Sequence, residues 1–289
     1  MIHIKIPATT ANMGAGFDCF GMAFDLFNEI CVEESDKFEI ITDNASIPTS
    51  RDNLVCRAME HFFAEVGKAM PVVRISQVDR IPLTRGLGSS AACVVGGLVA
   101  ANALAGESVD TDEILRMACD MEGHPDNVAP ALLGGLIVAA AEPKKVSYVK
   151  ITPPDGVSFV ALIPEFAVAT KKSRGVLPSH YSREDVIFNI SRASLFIASM
   201  MSGKWENLPT AVDDRIHQPY RKGLVPGMED VFRKARDCGA FGVYLSGAGP
   251  TVMAIVPATQ EDEFLKAMDG EWRARILRPN FNGAEVLER

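Results

Sequence analysis

Apolar and polar residues alternate at Ile2, Ile4 and Ile6, the period of a half-buried strand, and Pro7 is expected to end it before the small-residue stretch ATTANMGAG. Cys31 to Ile41 reads as another strand. From Asp52 to Val66 the period becomes helical, with a capped start and Leu54, Val55, Ala58, Met59, Phe62 and Phe63 on one face. A strand over 72–78 leads into a glycine-rich turn and an apolar helix. Asp110 and Glu113 form an acidic capping box for a helix that carries Ile114, Met117, Ala118 and Met121 on one side. That helix must stop near Glu122 and Gly123, because Pro125 follows, so EGHPDN (122–127) reads as a polar loop ahead of the apolar VAPALLGGLIVAAA.

A Pro/Gly/Asp cluster at 153–156 marks a domain boundary and divides the chain into 1–152 and 153–289. Beyond it the pattern predicts a strand (157–163), helices (184–201 and 226–238), strands (241–245 and 251–256), a helix (260–268) and a final strand (273–278). Strand, helix, strand, strand, helix, strand is the order of a ferredoxin-like domain. The pattern alone does not yield the topology of the first half.

At 289 residues and 47% hydrophobic, the chain is long enough for two cores. With 29 basic and 37 acidic residues the net charge is −8, and no block of Lys and Arg stands out, which argues against nucleic acid and anionic membrane as partners. The apolar runs Ala91 to Ala105 and Ala129 to Ala141 are interrupted and fall short of the ~20 residues of a membrane span. The strand-like N-terminus does not read as a signal peptide, and six scattered cysteines without a CxxC pair read as reduced thiols of a cytoplasmic protein.

The densest candidate chemistry is PLTRGLGSSAA. Pro82, Leu83, Thr84 and Arg85 lead into Gly86, Leu87 and Gly88, and Ser89, Ser90, Ala91 and Ala92 open the apolar helix. Glycines allow positive φ and close approach to a ligand, and the free N–H groups of a helix start favour an anion. One hydroxyl could also ligate Mg²⁺. A tight turn with a serine cap would use the same residues. No Walker A sequence is present, since neither Gly67-Lys68 nor Gly203-Lys204 has its arrangement. GLGSSA fits a loose GxGxxG/A pattern, with Glu107 near the distance of a dinucleotide-binding acid. The charged stretch Gln77 to Arg85 between strand and turn makes that the weaker reading.

TTANMGAGFD (9–18), EGHPDN and LSGAGPT (245–251) are three further patches of glycine and polar residues, and four such patches suggest one shared cleft. Asn12 and Asp18 suit the amine and hydroxyl of a small molecule, or serve as turn formers. Glu122 or Asp120 could hold Mg²⁺, Asp126 could accept a hydroxyl proton, and His124 could bind a carboxylate. Zinc is disfavoured, because no second His or Cys stands at ligand spacing nearby. Thr170, Arg174, Arg183 and Arg221 supply hydroxyl and cation for an anionic group.

Together PATTANMGAGFDCFG, PLTRGLGSSAA, EGHPDNVAPALLGG, TKKSRGVLP, DDRIHQPYRKGLVPG and LSGAGPT run nearly end to end, and the chain resembles the GHMP kinases. The first, third and fifth segments point to the homoserine kinase branch of that family. The resemblance implies a two-domain α/β (α+β) fold, with a ribosomal-S5-like N-terminal domain and a ferredoxin-like C-terminal one. It implies transfer of the γ-phosphoryl group of ATP to the side-chain hydroxyl of L-homoserine in threonine biosynthesis. The loop from Pro82 to Ala92 would wrap the ATP phosphates, and Ser90 with Glu122 would hold Mg²⁺, Asp120 being the rival. L-Homoserine would meet Asn12, Asp18, His124, Asn127, Thr170, Arg174 and Arg221, with the two arginines on its carboxylate and Asp18 on its ammonium. Asp126 and Asn127 would stand at the reacting hydroxyl, in the place where mevalonate-type relatives are credited with an acidic base. Homodimers are usual in the family.

Two other readings compete. A GHMP kinase for another small alcohol is disfavoured because mevalonate has no amine and sugars lack both charges. A non-catalytic nucleotide-binding regulator would be expected to have an eroded loop, whereas every loop glycine and serine is in place.

Overall fold

The computed structural model describes residues 1–288, and all elements below lie within them. β1 (Ile2–Ala11) pairs antiparallel with β2 (Phe20–Glu34). Pro7 does not end β1. The register with β2 shifts between Pro7 and Ala8, and at such a bulge a missing N–H interrupts nothing further. The strand expected over Cys31 to Ile41 is two: β2 stops at Glu34 and β3 (Glu39–Thr42) begins after a bend in which Lys37 N donates to Ser35 Oγ at 3.4 Å. α1 (Leu54–Glu65) buries the expected face, and Asn53 caps it by accepting from Val55 N and Cys56 N. This helix is the crossover that a parallel pairing of β3 with β4 (Val73–Val78) requires.

α2 (Ser89–Leu104) is apolar on every side and packs between β1, α1 and later helices, as an all-round apolar helix must. α3 (Thr111–Glu122) starts on Asp110, whose side chain accepts from Glu113 N at 2.9 Å, and ends on Gly123 at φ 84°. EGHPDN is not a loop beyond this point. Pro125 opens α4 (Pro125–Leu133), because proline's fixed φ suits a first helical position, where its missing N–H is not needed. β5 (Leu136–Glu142) and β6 (Lys145–Ile151) then form a hairpin that joins the first sheet through β2, an element pair that the apolar run had hidden.

The second sheet starts with β7 (Val157–Ile163). α5 (Thr170–Gly175), α6 (Arg183–Ser202), α7 (Leu208–Ala211), α8 (Gln218–Arg221) and α9 (Met228–Asp237) precede β8 (Gly242–Leu245) and β9 (Val252–Pro257). α10 (Glu261–Met268) and β10 (Arg273–Leu277) follow. Its order is β10-β7-β9-β8, antiparallel throughout, the fourth-first-third-second arrangement of a ferredoxin-like sheet. β11 (Glu285–Glu288) returns to the first sheet and pairs with β1. The sequence boundary at 152 and 153 falls in the link between β6 and β7.

Strand alternation divides the second sheet between two cores. Val160 and Leu162 face Phe264, Met268 and Trp272, whereas Phe159 and Ala161 join the large core of the first sheet. Phe24 of β2 meets Phe159 with ring centroids 5.3 Å apart, so the two units share apolar contact directly.

A polar clasp closes the outer side. Arg278 pairs with Glu261, its Nη1 donates to Ser158 Oγ at 3.1 Å, and its backbone N donates to Asp25 Oδ1 at 2.8 Å. The hydrogen bonds from Arg278, then from Ser158, hold the Glu261 carboxyl down to about 2. A depressed carboxyl stabilises the fold above its unfolded value near 4.5, and that contribution disappears as pH falls toward about 2. Glu261→Gln should therefore lower stability at neutral pH by about 0.5–1 kcal/mol, the scale of a half-exposed pair. Melting curves of the two proteins should converge below pH 4.5; a gap independent of pH would contradict this.

Candidate active site

A cavity of about 360 Å³ opens between the two units, lined by the β1–β2 loop, the glycine loop, the α3–α4 elbow, α5, α8 and the β8–β9 turn. At its floor Gly86 and Gly88 adopt φ 75° and 73°, and Gly88 caps α2 without any side-chain hydrogen bond to the first turn. The first-turn N–H groups thus keep their capacity for an outside acceptor. Ser89 Oγ is buried with no hydrogen-bond partner among the described residues, and Ser90 Oγ donates to Glu122 Oε1 at the end of α3. An orphaned hydroxyl at a bare helix start fits a phosphate group. The adjoining hydroxyl and carboxylate are oxygen donors of the kind that Mg²⁺ takes beside phosphate.

Charged groups gather at the other end. Asn12 and Asp18 sit at φ 67° and 56°; Asn12 Oδ1 accepts from Asp18 N at 3.0 Å, and its Nδ2 donates to Gly247 O at 3.1 Å. Asp18 takes Arg174 in a two-point ion pair at 2.6 and 3.1 Å. Burial works against the Arg174 charge, yet the Asp18 hydrogen bond outweighs it and its pKa is raised. Arg221 has no such partner among the described residues. Burial first, and the Arg174 charge second, bring its guanidinium down to about 10. Phe17 lies under both arginines, with its ring centroid 5.6 Å from Arg174 Cζ and 5.3 Å from Arg221 Cζ.

Asp126, 3% exposed, stands in the first turn of α4. Its Oδ1 receives His124 Nδ1 and, at 3.2 Å, Asn127 Nδ2. Burial opposes charge on His124, but Asp126 prevails and raises its pKa. Asn127 Oδ1 in turn accepts from Thr9 Oγ1 at 2.8 Å. The arrangement places a buried carboxylate, an imidazole and an amide together on the lining of the cavity.

Residues 53–135 match the GHMP kinases N terminal domain, and residues 196–274 match GHMP kinases C terminal. Homoserine kinase of Caldicellulosiruptor bescii is 45% identical over 99% of this chain and 97% of its own. That of Clostridium beijerinckii is 42% identical over 100% and 99%. The crystal structure of homoserine kinase from Cytophaga hutchinsonii agrees at a TM-score of 0.89 with 27% identity, covering 99% of this chain and 97% of that one. The chain belongs to the homoserine kinases of the GHMP family. A GHMP kinase is an ATP-dependent phosphotransferase that acts on an alcohol, and the two-unit α/β architecture described above is that of the family. A mevalonate kinase structure at 16% identity and a TM-score of 0.72 shares the fold.

Within this GHMP kinase, the cleft brings together Leu83, Thr84, Arg85, Gly86, Gly88, Ser89, Ser90 and Ala91 with Asn12, Asp18, Glu122, His124, Asp126, Asn127, Thr170, Arg174 and Arg221. Leu87 and Ala92, 0% exposed, point into the core instead, and Pro82 is outside the lining. Asp120 is directed away and paired with Arg116, and Arg183 is exposed at the start of α6. The lining residues Ile47, Asn53, Gln77 and Cys93 were not anticipated, because they carry no charge or glycine pattern to mark them.

The glycine at 88 can be tested directly. A Cβ there would stand 2.0 Å from Thr9 Oγ1 at a φ of +73°, whereas at Gly67, φ +67°, nothing lies within 4 Å. Both Gly→Ala changes carry the left-handed penalty of about 1 kcal/mol. If the helix start receives the ATP phosphates, Gly88→Ala should in addition raise KM for ATP at least about tenfold, because the added Cβ displaces that start. Equal behaviour of the two variants in melting and ATP kinetics would refute the close approach as the reason for glycine.

Proposed function

We propose that the chain transfers the γ-phosphoryl group of ATP to the side-chain hydroxyl of L-homoserine, giving O-phospho-L-homoserine for threonine biosynthesis. The reading is carried by one juxtaposition: a bare helix start with the unpartnered Ser89 hydroxyl shares a cleft with Asp18, Arg174 and Arg221, charges of both signs suited to a zwitterion. In this reading the loop from Pro82 to Ala92 wraps the phosphates. Asn12, Asp18, His124, Asn127, Thr170, Arg174 and Arg221 receive the acceptor. Asp18 and Arg174 already pair with each other. An amino acid zwitterion can exchange with that pair, ammonium to Asp18 and carboxylate to Arg174 and Arg221, so that each member of the pair gains a partner in place of the one it loses.

Ser90 and Glu122 are the proposed Mg²⁺ ligands, in preference to Asp120, whose carboxylate is committed to Arg116. When bound there, Mg²⁺ would supply charge neutralisation to the phosphoryl group. The α2 N–H groups add to it, and the acceptor is aligned by its two charges. Asp126, with Asn127 beside it, takes the hydroxyl proton. Cytoplasmic location is supported by six free thiols, three of them buried, and no described helix is long and apolar enough to cross a membrane. The division at 152 and 153 is retained for the two units, and a homodimer is the assembly we expect.

A coupled assay of ADP release with L-homoserine, mevalonate and galactose tests the acceptor. Turnover with L-homoserine alone is expected; preference for either other alcohol would overturn the assignment. Asp126→Asn should lower kcat by about 100-fold or more while leaving KM for ATP within about twofold. A loss below about tenfold would send the proton by another route, such as the phosphate itself.

A further inference from the structure

Arg221, 2% exposed, is held from three segments. Nε donates to Ser173 O in α5 at 3.3 Å, and Nη1 donates to Gly247 O in the β8–β9 turn at 2.9 Å and to His217 Nδ1 at 3.2 Å. His217 is itself 0% exposed and stacks on Phe17 with centroids 5.4 Å apart. Its Nε2 lies 2.8 Å from Gly14 O, which can only accept, so Nε2 carries the ring proton and Nδ1 presents a lone pair to the guanidinium. The backbone of His217 is fixed too: its N donates to Asp214 Oδ2 at 2.9 Å, and Asp214 Oδ1 takes Ile216 N at 3.0 Å and Asn189 Nδ2 at 2.7 Å.

We propose that His217 is a positioning residue for the acceptor: one neutral imidazole ties the Asn12–Asp18 loop, through the Gly14 carbonyl, to Arg221, and so sets the spacing between the ammonium and carboxylate receptors. This rests on the homoserine reading of the cleft. The neutrality matters. A carboxylate in the place of Nδ1 would hold the guanidinium as firmly but cancel the charge that a ligand anion needs. The ring and two carbonyls hold Arg221 and leave that charge intact, with Nη2 outside these hydrogen bonds. Burial is the largest influence on His217 and keeps its pKa below 6.5, aided by Arg221 and opposed by Asp214 and Asp18.

The test compares L-homoserine with L-homoserinol, in which a hydroxymethyl group replaces the carboxylate. Gln at this position keeps a donor for Gly14 but loses the acceptor for Arg221; Asn places a carbonyl oxygen where Nδ1 stands. His217→Gln should raise KM for L-homoserine about tenfold, with kcat and KM for ATP within about twofold and KM for L-homoserinol unchanged. His217→Asn keeps the acceptor for Arg221 but loses the donor for Gly14, so it should recover part of that loss and not all of it. An equal penalty on L-homoserine and L-homoserinol in either variant makes the ring a packing element and overturns the proposal. ¹⁵N NMR of the wild-type histidine rings needs no variant to fold: a protonated Nδ1 on His217 would overturn it as well. Failure of the wild type to phosphorylate L-homoserine is a separate result that removes the parent reading and this inference with it.

Discussion

Three stretches of backbone meet edge to edge behind the cleft, and the site depends on that seam. The end of β1 is joined to the glycine loop by Thr9 N to Leu87 O at 3.1 Å, and to the β8–β9 turn by Gly247 N to Ala11 O at 3.1 Å. The loop and the turn are joined by Thr251 N to Arg85 O at 3.1 Å, with Ser246 Oγ bridging Gly86 O at 2.5 Å and Thr10 Oγ1 at 2.8 Å. Backbones that approach this closely leave no room for side chains. A Cβ on Gly86 would stand 2.3 Å from Ser246 O, so composition at the seam is dictated by clearance before any ligand is considered. The consequence is that the glycine loop and Asp18, which extend from the first sheet, and Arg174 and Arg221, which lie between β7 and β8 of the second, are held in one frame.

The charges within that frame are arranged by degree of commitment. Arg174 is spent on Asp18 in the structure as it stands, and Asp126 is engaged by His124 and Asn127. Arg221 alone of these is held by neutral acceptors, and burial, with the Arg174 charge, outweighs the pull of Asp18, Asp126 and Asp214 and brings its pKa down to about 10. A buried cation without a counterion is a destabilising feature that a ligand anion relieves. The fold therefore stores an unmet electrostatic demand where the acceptor's carboxylate is proposed to bind, while the opposite demand of Asp18 is met internally until a zwitterion replaces Arg174.

Local signals were legible in the chain and distant pairings were not. The Asp110 cap of α3, the α1 face and the element order of the second unit were readable because each depends on residues within a turn or a strand of one another, although Glu113, expected to close a capping box, pairs with Arg116 instead. Pro7 within β1 was misread because a bulge is a property of the partner strand, and β11 was invisible because four residues pair with the far end of the chain. The glycine loop and the charged patches announced a cleft through composition, yet Asp120 and Glu122 could not be separated by sequence. Two positions along a helix turn side chains about 200° apart, so one reaches Ser90 and the other Arg116. His217 left no trace in sequence because its role is to be neutral, buried and hydrogen-bonded at both nitrogens, and a core histidine has the same signature.

The elbow between α3 and α4 shows why so much chemistry fits in EGHPDN. Gly123 reverses the chain at φ 84°, His124 is extended at φ −159°, and Pro125 restarts the helix at once. Consecutive residues are thereby aimed at different partners: Glu122 at Ser90, His124 at Asp126, Asn127 at Thr9. A loop could supply the same side chains but not hold them, since each would add rotational freedom to be lost on binding. Here the first turn of α4 rests on β2 so closely that a Cβ on Gly21 would come within 1.7 Å of Asp126 O. Rigidity thus comes from one feature, a helix begun by proline directly on a strand.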